Sequence, residues 1–207
     1  MLIVRSLVNA GDPADVQAVH SLQDQIRVDQ HGGTGQWDAP TWDSVTQAQV
    51  RDQLADLQAR GGCEGLVLMG TREAVDSVCH LLATATGWDL SPQEDVVYDV
   101  AYPAANDGRT VHTLTVSDVP VDGFWSISVH NEKGYFGKND LESYSINSQS
   151  AKRDTDGSST IQFGGGTRET PNCIVTPAGW NYMVRQFRPR KFILDGTCKF
   201  PEARPSR

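Results

Sequence analysis

What this chain lacks narrows it first. No apolar run approaches the ~20 residues that a membrane-spanning helix needs. Cysteine is scarce: Cys63, Cys79, Cys173 and Cys198 are the only four in 207 residues, and no two are spaced C-x-x-C. That excludes a zinc knuckle or a dithiol redox motif, and four cysteines in a chain this long make no disulfide framework. They read as free thiols, with Cys79 a small buried hydrophobe in a helical pattern and a Cys173 to Cys198 bridge as the alternative. Basic residues are outnumbered, 18 against 26 acidic, for a net charge of −8, which argues against a nucleic-acid partner. The opening Met1-Leu2-Ile3-Val4-Arg5 has no basic leader or small-residue cleavage site. The expected location is cytoplasmic, or periplasmic if upstream sequence is missing, and no membrane partner is expected.

Phosphate chemistry is also poorly served. The loop His31-Gly32-Gly33-Thr34-Gly35 is followed by no Lys-Ser/Thr, and Gly164-Gly165-Gly166 by no helix pattern. The five histidines include no H-x-H and no i, i+4 pair, so no cofactor or metal is expected. The one metal alternative is a cupin-like cluster of His112 and His130 with Asp99 or Glu132. His20 and His80 read as packing or capping residues.

What is present changes character near Gly87. Before it the pattern is mostly helical. After a short apolar segment over residues 2–8, read as a strand, Asp12-Pro13 is an N-cap with proline at the first helical position. Val16, Val19, Leu22 and Ile26 form one stripe. Trp37 and Trp42 flank Pro40 in a loop. Thr46 and Gln49 fit a capping box with Val45 and Val50 as staple, and Gly61 is placed to end that helix. Thr71 is the expected cap of a third helix ending at Gly87.

From Asp95 the period is two. Val96, Tyr98, Val100 and Tyr102 face one way, with Asp99 and Ala101 opposite. His112, Leu114 and Val116 share a face of the next strand. Residues 124–130 form another, with Trp125, Ile127 and Val129 on an apolar face and Ser126, Ser128 and His130 on a polar one. Later strands are expected over residues 142–146, 159–163 and 181–187. Turns are expected at Asn106-Asp107-Gly108, Asp122-Gly123, Asn131 to Gly134 and Asp156-Gly157. The basic residues from Arg185 onward read as a solvated tail, or as a segment docking on an acidic surface of this chain or a partner.

The expected fold class is α+β: a helical layer of about three helices with one short strand over residues 1–90, and an antiparallel β-sandwich, jelly-roll-like, over residues 91–207. The two are read as one structural unit. Three functions fit. Tyr98, His112, Trp125, Asn131, Tyr144, Trp180 and Arg185 are candidates to bind a polar small molecule or glycan in a β cleft. Ser128 or Ser126 with His130 could serve a hydrolase or esterase, although no G-x-S-x-G elbow is present. An assembly module, with a homo-oligomer as one form of it, is the third reading.

The run Gly123-Phe124-Trp125-Ser126-Ile127-Ser128-Val129 resembles the bacterial family catalogued as domain of unknown function 1214. The likeness continues through Gly134-Tyr135-Phe136, Tyr144-Ser145-Ile146-Asn147, Asp156-Gly157-Ser158, Pro171-Asn172-Cys173, Gly179-Trp180-Asn181-Tyr182, Arg188-Pro189 and Asp195-Gly196-Thr197. It implies a jelly-roll-like β domain with flanking helices and carries over no catalytic residue, although some members are labelled esterases or hydrolases. The family commonly has Trp where this chain has Cys198. Its usual N-terminal companion, domain of unknown function 1254, is expected to be absent here.

Overall fold

The computed structural model describes residues 4, 6, 8–9, 11–29, 41–63, 67–87 and 90–206. The strand expected over residues 2–8 lies largely outside the described residues, and the loops at His31 and Trp37 lie outside them entirely. The chain divides into two compact units, Met1–Ser44 and Val45–Arg207. The first contains helix α1 (Pro13–Gln23), capped as expected by the Asp12 carboxylate, which accepts the Ala14 N–H. Of the expected stripe only Val19 is buried; Leu22 and Ile26 are exposed.

The second unit opens with α2 (Ser44–Ala59). This helix starts before Thr46, so the expected capping box falls inside it, and it buries none of its residues. Gly61 follows its end with φ 85°, the left-handed conformation that suits glycine there. Helix α3 (Ser77–Thr86) is capped by Asp76, not Thr71: the Asp76 carboxylate accepts the N–H groups of Val78 and Cys79. The Thr71 carbonyl instead closes a separate turn by accepting from Ala74 and Val75. Cys63 and Cys79 form a disulfide, which corrects the reading of these two as free thiols, while Cys173 and Cys198 are free. Tertiary proximity, a Cα separation of 5.7 Å across 16 residues of sequence, makes the bond, and spacing in the chain gave no hint of it.

Eight strands follow: β1 (Val96–Ala101), β2 (His112–Val116), β3 (Trp125–His130), β4 (Ser145–Asn147), β5 (Ser159–Phe163), β6 (Cys173–Ile174), β7 (Asn181–Phe187) and β8 (Arg204–Pro205). A short helix, α4 (Lys191–Leu194), lies between the last two. They form two four-stranded sheets, β1-β7-β3-β4 and β6-β5-β2-β8, antiparallel except for the β5 to β6 pair. The expected α+β class with a sandwich of antiparallel-rich sheets therefore holds. The turns Asn106-Asp107-Gly108, Asn131 to Gly134 and Asp156-Gly157 each place glycine at positive φ.

Between the sheets lies one core. Trp125, Ile127, Val129, Tyr182 and Val184 come from the first sheet, and Leu114, Val116, Ile161, Phe163 and Ile174 from the second. Trp180, just before β7, stacks on Phe163 with ring centroids 5.2 Å apart. Gly123 is required by close approach: a β-carbon there would sit 2.8 Å from the Phe187 carbonyl oxygen.

In β1 the expected alternation holds, and pairing shows its sides: Ala101 opposite Tyr182 and Asp99 opposite Val184 share the core side, and Tyr98 and Val100 point outward. The reading of the basic tail changes. Residues 200–205 supply the bulk that β1 does not. Phe200 packs edge-on against Trp125 at 5.8 Å, the Ala203 N–H donates to the Tyr182 hydroxyl at 3.0 Å, and β8 pairs with β2. The basic tail is thus built into the sandwich, because one aromatic ring and a few backbone hydrogen bonds outweigh its polar composition.

A candidate polar cleft at the β4/β6 edge

The β4 and β6 edges are short, two or three residues each. They are joined across the sandwich by side chains: the Ser143 hydroxyl donates to the Cys173 carbonyl at 2.6 Å, and Asn172 bonds Lys152 in both directions. On either side of Ser143 is a cavity. The smaller, about 210 Å³, is lined by Val129, Lys138, Asn139, Ser143, Tyr144 and Thr176 among others. The larger, about 370 Å³, is lined by Ser145, Ser150, Thr167, Arg168, Thr170, Asn172 and Cys173 among others.

The lining is ordered before any ligand enters. Asn139 folds its own loop by donating to the Gly137 and Ser143 carbonyls and accepting the Ser143 N–H. Arg168 reaches back to the Asp140 carbonyl at 2.6 Å. Thr176 is buried, and its hydroxyl has no hydrogen-bond partner. Gly164 in the triple-glycine run makes room for it, since a β-carbon there would lie 2.7 Å from Thr176 Oγ1. Burial raises the Cys173 thiol above its ordinary value, against a backbone hydrogen bond from Gly166, so it stays protonated and is a poor nucleophile.

The residues expected from sequence divide among three places. His112, Trp125 and Trp180 are core: His112 is buried, bonds the Thr110 carbonyl and meets Trp180 edge-on at 5.3 Å. Tyr144 lines the smaller cavity. Asn131 closes its own turn, its side-chain oxygen accepting from Lys133 and Tyr135. Tyr98, Ser126, Ser128, His130 and Arg185 share the outer face of the first sheet, where Ser126 and Tyr98 both pair with Arg185. There the Ser128 hydroxyl accepts from Arg185 Nη1 at 2.7 Å. Desolvation first, then the Arg185 charge, lowers the pKa of His130 against a hydrogen bond with Asn181, so its imidazole is neutral near pH 7. His112 and His130 belong to different sheets, and among the described residues no three His, Cys, Asp or Glu side chains gather to hold a metal.

Sequence reasoning passed over Lys138, Ser143, Arg168, Thr170 and Thr176. All are in connections, where no periodicity marks which side faces a cavity. The one available signal was the Gly164-Gly165-Gly166 run, whose first member is shaped around Thr176.

The architecture is that of a small antiparallel-rich sandwich with a polar edge cleft. Residues 101–191 match the model of the family described as protein of unknown function, DUF1214. No curated protein matches the chain. Among solved structures, the VPA0106 protein of Vibrio parahaemolyticus is similar over 82% of this chain and 47% of its own, at 18% identity and a TM-score of 0.60. An uncharacterized protein from Burkholderia cenocepacia matches over 81% of this chain and 43% of its own, at 17% identity and a TM-score of 0.40. The chain thus spans about half the length of the first, 47%, and the likeness there is one of fold.

Proposed function

We propose that this domain binds a polar small molecule or glycan, of about mono- or disaccharide size, in the β4/β6 edge cleft. The observation that carries the reading is the pair of cavities meeting at Ser143, about 210 and 370 Å³, with a polar lining held in place by its own hydrogen bonds. Tyr144 offers an aromatic surface, and Lys138, Asn139, Arg168 and Thr170 offer polar contacts at the rim. The disulfide between Cys63 and Cys79 supports a periplasmic or other oxidising setting for this binding.

The test is a thermal-shift screen against a panel of mono- and disaccharides and polar metabolites. A ligand at about 100 times its Kd stabilises the fold by about 2.7 kcal/mol, and that gain is expected to shrink in Tyr144→Ala and Arg168→Gln. A panel without a single shift, or shifts untouched by both substitutions, rejects the cleft as a binding site.

A further inference from the structure

On the outer face of the first sheet, Arg185 lies half-buried near the middle of β7. Its cross-strand neighbours are Tyr98 on β1 and Ser126 on β3, and its guanidinium donates to Ser128. None of these is an aspartate or glutamate. Among the described residues the ion pairs are those of Arg51 with Asp52 and Arg190 with Asp122, and Arg185 makes none. The chain has 26 acidic residues, so this guanidinium does not go unpaired for want of acid. A guanidinium withdrawn from water needs an anion, and a role limited to pinning β7 to β3 would be served at lower desolvation cost by a neutral side chain.

The surroundings define what kind of anion. Phosphate sites gather several cations or a helix N-terminus. Among the strand residues of this face, Arg185 is the one cation. The guanidinium's partner, Ser128, is more than nine-tenths buried. Along the strands Arg185 is bracketed by apolar rows. On one side Phe187 stacks on Phe124 with centroids 4.2 Å apart, and on the other Met183 pairs with the exposed Val100. A carboxylate can take two parallel N–H donors of the guanidinium fork while an apolar body lies along Met183 and Val100.

We infer that the outer face of the first sheet recognises a small organic carboxylate with an apolar body, with Arg185 holding the charge and Ser128 orienting its guanidinium. This site is separate from the edge cleft, and the two readings stand or fall independently.

Titration of the full chain with sodium butyrate and sodium benzoate at constant ionic strength, followed by amide and arginine Nε–H NMR signals, tests it. Saturable shifts at residues 126, 128, 183 and 185 are expected for both acids, with none for butanol or benzyl alcohol and weaker ones for inorganic phosphate. Arg185→Gln is expected to weaken binding by about ten-fold or more, and Arg185→Lys, which keeps the charge without the fork, to weaken it by less. Arg168→Gln, in the edge cleft, leaves it unchanged. No saturable shift, equal effects of acid and alcohol, tighter binding of phosphate, or unchanged affinity in Arg185→Gln overturns the inference. The acid-against-alcohol arms use the unmodified protein, so the outcome does not depend on a variant folding.

Discussion

At the β1/β8 edge of the sandwich the last residues of the chain are sewn into both sheets, whereas at the β4/β6 edge the sheets are joined by side chains that leave cavities between them. The first edge closes with an aromatic ring, a tyrosine hydroxyl and a strand pairing: Phe200 on Trp125, Tyr182 on the Ala203 N–H, β8 on β2. The second relies on Ser143, Asn139 and Asn172, whose bonds order loops without filling volume. Apolar contact removes space, and directional hydrogen bonding holds it open. One edge is therefore a source of stability and the other a place where a ligand can enter.

The largest loss of stability is expected at the closed edge. Phe200→Ala is expected to cost about 2–3 kcal/mol in urea unfolding, short of the value for a wholly buried ring because Phe200 is half-buried. Tyr182→Phe keeps the packing and strands the Ala203 N–H, for an expected loss of about 1–2 kcal/mol. At the other edge, Ser143→Ala leaves the Cys173 carbonyl without its donor and is expected to cost about 1 kcal/mol, with a larger effect on any ligand seated across both cavities. If Ser143→Ala proves costlier than Phe200→Ala, the assignment of stability to one edge and access to the other fails.

Two smaller effects sharpen the contrast. Thr176→Val replaces an unpartnered buried hydroxyl by a methyl group of similar shape, and is expected to raise stability by up to about 1 kcal/mol in urea unfolding. Away from both edges, His130 has a folded-state pKa below its ordinary 6.5. The unfolded chain then binds the proton more readily, so the contribution is intact above about pH 6.5 and lost as pH falls toward the folded value. His130→Gln is expected to flatten that part of the stability profile, measured by urea unfolding at successive pH values between about 7 and 5.

Much of the sandwich was legible because its signals are local. The alternation over residues 159–163 and 181–187 reappears as β5 and β7, and the Asn-Asp-Gly and Asp-Gly turns fall where glycine takes positive φ. The polar alternation Ser126, Ser128, His130 is likewise real, since one face of a strand is set by its own two-residue repeat. The alternation of Tyr98 and Val100 against Asp99 and Ala101 in β1 was legible as well, while which side faces the core is set by pairing with β7. The first two helices were legible in position to within a turn, while α3 is capped at Asp76, five residues beyond the expected Thr71; burial was not legible, since Leu22, Val50 and Leu57 sit at helical spacing and are exposed.

By itself, the sequence determined the change from helical to alternating pattern, most of the strands, their turns, and the gathering of serines and histidine on one face. These depend on residues within a few positions of one another. Only the tertiary structure decided that Cys63 meets Cys79, that the basic tail closes an edge, that Thr176 lies buried without a partner beside a cavity, and that Arg185 stands among neutral neighbours. Each of these is a relation between distant segments, fixed by how the chain pairs and packs, and no local period encodes it.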